Sequence, residues 1–152
     1  MTIISEIGEK YEKLARVLSE YDKELDLVED RLSLKNTTLE RANMENPTWL
    51  NFYDQKKVEL KVLNDFMDMK LNAIRGRLFM RYKEDHQRTL NASEINQYIN
   101  NEEGYTELFE ISLEVQEVYE KYKQVIEAFK ARGYALNNIT KIRVAALEDV
   151  IL

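Results

Sequence analysis

The 152-residue chain contains no cysteine, so neither a disulfide framework nor a thiolate metal site can be built from it. A single histidine, His86, rules out any motif that needs two imidazoles, including the paired Glu-x-x-His turns of carboxylate-bridged metal bundles. One proline and four glycines leave few points at which a helix can be interrupted. No glycine-rich phosphate loop, nucleophile elbow or kinase signature is present. No apolar run approaches the ~20 residues that a bilayer-spanning helix requires. The segment from Met1 to Lys10 lacks the sustained apolar core of a signal peptide. These absences predict a cytoplasmic, non-membrane protein that is not an enzyme and holds no cofactor or metal. The sequons at Asn36, Asn91 and Asn138 are then coincidental.

What the chain does have is charge and helical periodicity. Hydrophobic residues make up 44% and charged residues 33%, the balance of long amphipathic helices with solvated outer faces. The net charge of −6 argues against indiscriminate binding to polyanions. It is unevenly spread, however. Residues 1–46 carry 7 basic and 11 acidic side chains, residues 47–92 carry 9 and 6, and residues 93–152 carry 6 and 11. The middle third alone is net basic.

Ile4, Ile7, Tyr11, Leu14, Leu18, Tyr21, Leu25, Val28 and Leu32 alternate at intervals of three and four. That is the heptad seam of a left-handed supercoil, with an ordinary amphipathic bundle helix as the other reading. The pattern loosens at Lys35–Thr38, and Leu39 resumes it. Asn43–Asn46 is the expected break, with Asn46 as cap and Pro47 at the first helical position. A helix over 47–85 would be about 58 Å long, with Leu60, Leu63, Met67, Leu71, Ile74, Leu78 and Tyr82 as its stripe.

A loop over 86–93 and a short helix capped by Asn91 or Ser93 should follow, ended near Gly104. A third long helix from Tyr105 is seamed by Leu108, Ile111, Val115, Val118, Tyr122, Val125 and Phe129, with Gly133 as its C′ cap. A final helix over about 137–149 would bury Leu136, Ile139, Ile142, Ala146 and Leu147. The expected architecture is all-α: one domain over 1–152, a helical hairpin or bundle that oligomerises. Its parts are an N-terminal heptad helix (1–45), a long central helix (47–85) and a C-terminal helical region (93–152).

Five cations, Lys70, Arg75, Arg77, Arg81 and Lys83, fall in the last third of the central helix. Residues two apart do not share a helix face, so the patch wraps the helix and suits a flexible polyanion. Interleaved Phe79 and Tyr82 could stack on bases, as in sequence-tolerant single-strand binding. The plainer reading is a set of cations favoured by the helix dipole. Lys130, Arg132 and Arg143 form a second basic cluster in a stretch without acids.

The segment Ala73-Ile74-Arg75-Gly76-Arg77-Leu78-Phe79-Met80-Arg81-Tyr82 resembles the basic-x-basic-Leu and Tyr element of the UvsY recombination mediators of large tailed phages. The stretch from Ala128 to Arg143, with Lys130-Ala131-Arg132-Gly133-Tyr134 at its centre, is similar to that family's Lys-x-Arg-Gly-aromatic element. Leu39-Glu40, Ala42-Asn43 and Asn46-Pro47 resemble its helix start. The similarity covers roughly residues 20–143. Tyr134 stands where Phe is commoner and Asn137 where Lys is common, and the usual aromatic-to-glycine ending after Arg143 is missing.

The resemblance implies a protein of DNA recombination and repair in the cytoplasm of an infected host cell. It implies a homo-oligomeric ring of about six or seven subunits that binds single-stranded DNA. Such a ring helps displace single-strand DNA-binding protein and loads a RecA-like recombinase. By position it makes Arg75 and Arg77 the DNA-contacting pair. The alternative is a coiled-coil adaptor without nucleic-acid binding.

Overall fold

The computed structural model describes the backbone of residues 3–85 and 88–151 and the side chains of 12–85 and 88–147. It is all-α: α1 (Ile3–Leu25), α2 (Val28–Leu32), α3 (Leu39–Asp85), α4 (Ala92–Asn100) and α5 (Glu103–Ile151). Ile4, Ile7 and Tyr11 of the expected seam, and His86, lie outside the described side chains. The seam residues from Leu14 to Leu32 are each buried or half-buried, while most of their neighbours are exposed.

The helix boundaries differ from expectation. A turn at Asp26 and Leu27 splits the expected N-terminal heptad helix into α1 and α2. The break before the long helix falls at residues 33–38, where the heptad loosens, and not at Asn43–Asn46. Ser33 is extended, Asn36 takes the left-handed conformation (φ 56°), and Thr38 Oγ1 accepts the Arg41 N–H at 3.1 Å. That bond caps α3, whose first residue, Leu39, lies eight positions before Pro47. Pro47 therefore sits inside α3, where it removes one backbone donor. Asn46 is a buried tertiary contact and not a cap. Its amide donates to the Phe129 carbonyl at 3.1 Å and accepts from Arg132 at 3.0 Å, which holds the segment helical across the proline.

Gly133 likewise ends nothing. α5 runs through it, and no glycine among the described residues has positive φ. A Cβ there would lie 3.0 Å from Asn46 Nδ2, so the glycine lets α5 approach the amide of α3. The separate final helix is the continuation of α5. Leu136 is buried and Ile139 half-buried, but Ile142, Ala146 and Leu147 are exposed, against expectation.

The chain divides into two compact units, one of Met1–Ser19 and Leu60–Tyr119, the other of Glu20–Glu59 and Glu120–Leu152. In the first, Leu60, Met67 and Leu71 of α3, Leu108, Ile111, Val115 and Val118 of α5, and Leu18 of α1 are buried. Leu90, Ile95 and Ile99 add a second apolar cluster, against which Leu78, Phe79, Tyr82 and Tyr105 pack. Asn91 and Glu94 close a capping box at the start of α4, each bonding the other's backbone N–H.

The second unit is built on aromatics. Tyr53 stacks on Phe129 at 5.3 Å and lies 6.0 Å from Tyr122, whose hydroxyl donates to the Tyr21 carbonyl at 2.9 Å. The Arg31 guanidinium sits 4.1 Å from the centre of the Trp49 ring and donates to the Tyr53 hydroxyl at 2.8 Å and to Glu24. Every buried side-chain nitrogen and oxygen among the described residues has a partner.

Candidate nucleic-acid interface

The basic segment of α3 belongs to the first unit, and helical periodicity sorts its cations. Lys70, Arg77 and Arg81 are seven and four residues apart, so they line one flank. They span roughly 16 Å along the axis. All three are exposed and free of ion pairs to described residues, and Lys70 Nζ lies 5.3 Å from the centre of the Phe66 ring. Lys83, also exposed, falls on the other flank.

Arg75 is set apart from this row. It is half-buried and donates to Asn96 Oδ1 at 3.0 Å, Asn100 Oδ1 at 3.3 Å and the Tyr105 hydroxyl at 3.0 Å. Its guanidinium also lies 5.5 Å from the centre of the Tyr105 ring. One side chain thus fastens α4 and the start of α5 to α3. Arg75 and Arg77, two residues apart, face different surroundings, and the structure does not bring them together.

The candidate base-stacking rings are also engaged. Phe79 and Tyr82 pack on the Leu90–Ile95–Ile99 cluster, and Tyr82 stacks on Tyr98 at 5.3 Å. The Tyr82 hydroxyl bonds Glu102, and that bond, with burial second, pushes its pKa up to about 12. The exposed aromatic beside the cation row is Phe66, at 45%.

The C-terminal cations lie in the second unit. Lys130 is exposed and paired with Glu127 at 3.0 Å, and Arg143 is exposed on the last turns of α5. Arg132 is only 7% exposed. It donates to the carbonyls of Leu32 (3.1 Å) and Ala42 (3.3 Å) and to Asn46 Oδ1 (3.0 Å), and burial lowers its pKa. It ties three segments of that unit together from within.

A groove of about 450 Å³ in the same unit is lined by Pro47, Leu50, Ile126, Lys57, Lys123 and Lys130, among others. Each of these lysines has a carboxylate within 3.2 Å, from Asp54, Glu120 and Glu127 respectively, so the groove offers an anion little net field. Among the described residues no group of three or more acidic, His or Cys side chains is placed to hold a metal ion. No described helix is long and apolar enough to cross a membrane.

Two features escape a reading of residue types alone. The Asn96–Asn100–Tyr105 cradle is visible in sequence only as polar residues on a short helix and a tyrosine at the start of the next. The outer face of α3 carries a second apolar stripe, opposite the one that enters the core. The chain matches no family model, no curated protein and no solved structure.

Proposed function

We propose that the protein is a non-enzymatic recombination mediator. It binds single-stranded DNA as a homo-oligomer and promotes loading of a RecA-like recombinase onto DNA covered by single-strand DNA-binding protein. The row of Lys70, Arg77 and Arg81, exposed and without ion-pair partners among the described residues of an acidic chain, carries the DNA-binding part. Unpaired cations on a rigid helix are ready to replace the counterions of a phosphate backbone. The resemblance of α3 and of the Lys130–Tyr134 stretch to the UvsY mediators supports the recombination part.

The DNA contact is moved from the Arg75–Arg77 pair to Arg77 and its flank neighbours, with Arg75 as the residue that positions α4. Lys83 extends the charge around the helix, and Arg132 serves the interior. Several weak rows in one assembly bind a single strand tightly, because each contact after the first is intramolecular. The test is fluorescence anisotropy with a labelled oligothymidylate. Arg77→Ala/Arg81→Ala should weaken binding at least tenfold at moderate salt. Affinity equal to wild type would remove this row from the site.

A further inference from the structure

The outer stripe of α3 runs Val62, Phe66, Met69, Ala73, Gly76, Met80, at alternating intervals of four and three. The larger four are 65%, 45%, 58% and 51% exposed in that order, and Ala73 and Gly76 are exposed as well. A strict heptad over about five turns is the seam by which one helix packs on another. Gly76 in a helix interior is less favourable than alanine by about 1 kcal/mol. Nothing among the described residues accounts for it, because a Cβ there would meet none of their atoms within 4 Å.

We infer that this seam pairs two copies of the chain, α3 against α3 and antiparallel. Side-chain size sets the direction. Turned about a centre at residue 71, Phe66 faces the other copy's Gly76, Met69 faces Ala73, and Val62 faces Met80. Each layer then sets a larger group against a smaller or a flexible one, the alternation that fills a helix interface without voids. In a parallel pair Phe66 would meet Phe66, and Gly76 would leave a gap.

Charge bears on the direction as well. Lys83 continues the stripe one heptad beyond Gly76, and parallel packing would set it against itself.

A consequence for the proposed single-strand binding follows, and it rests on that reading. In an antiparallel pair like flanks adjoin. The two rows of Lys70, Arg77 and Arg81 then share one side and form a strip of six cations about 30 Å long. Bound polyanion relieves their repulsion, so oligonucleotide binding and pairing strengthen each other.

The test is mass by light scattering on the full chain, with and without oligothymidylate, together with anisotropy. Gly76→Leu, which has open space in the single chain, should at least halve the mass and weaken oligonucleotide binding about tenfold. Adding Phe66→Ala should restore both, with helicity by circular dichroism unchanged throughout. A wild-type chain that stays monomeric with and without oligonucleotide overturns the pairing, as does unchanged mass in Gly76→Leu. Unchanged mass with lost oligonucleotide binding places DNA against Gly76 and leaves single-strand binding standing. Lost mass with unchanged oligonucleotide affinity overturns the coupling, and failure of Phe66→Ala to rescue overturns the register.

Discussion

Gly76 and Gly133 occupy helix interiors under opposite constraints. Around Gly76 the space is open, whereas at Gly133 a Cβ would press on an Asn46 amide held by the Phe129 carbonyl and Arg132. In the unpaired chain, Gly76→Ala should raise stability by ~0.5–1 kcal/mol through helix propensity. Gly133→Ala should lower it by ~1–2 kcal/mol, the overpacking outweighing the same propensity gain. Urea unfolding of both variants at one protein concentration checks the pair of signs.

Tyr82 offers a pH test at the same scale. Its bond to Glu102 raises the phenol from 10.0 to about 12 in the folded chain. The stabilising contribution is therefore complete below about pH 10 and lost as pH climbs through about 12. The stability difference between wild type and Tyr82→Phe should hold level up to pH 10 and shrink above it. A difference that stays constant to pH 12 would contradict the bond.

Among the elements, α3 departs most from its sequence signals, and Pro47 explains why. Asn-Pro reads locally as a helix start, and Thr38 as one more polar residue in a loosened stretch. The structure reverses those roles because Asn46 and Arg132, 86 positions apart, meet in the interior. No local pattern encodes that meeting. If Pro47 lies inside α3, Pro47→Ala restores a donor for the Asn43 carbonyl. Stability should rise by ~1–3 kcal/mol in thermal unfolding. No gain would mean that the proline starts the helix after all.

By contrast, the Asn91 cap, the inner stripe of α3 and the seam of α5 were legible in the sequence, since periodicity and capping are local properties. The exposed cation row was legible as charge. Its division from Arg75 was not, because the acceptors on Asn96, Asn100 and Tyr105 come from another part of the chain.

At the scale of the whole molecule, the proposed binding brings a polyanionic ligand to an acidic chain through one helix with three distinct faces. The inner face enters the core of its unit, and the outer apolar face is the one proposed to pair copies. The flank between them presents Lys70, Arg77 and Arg81, the exposed cations proposed to meet phosphates. Electrostatic binding by that flank has a measurable signature, since log K falls by ~0.7 per log unit of salt for each phosphate neutralised on a single strand. The most direct measurement is the salt dependence of oligothymidylate binding for wild type, Arg77→Ala/Arg81→Ala and Arg75→Ala, each kept at its assembled concentration. The double variant should flatten the slope by ~1.4 per subunit engaged, and Arg75→Ala should leave it unchanged while lowering thermal stability by ~1–2 kcal/mol. An unchanged slope in Arg77→Ala/Arg81→Ala, or a flattened one in Arg75→Ala, would contradict the assignment.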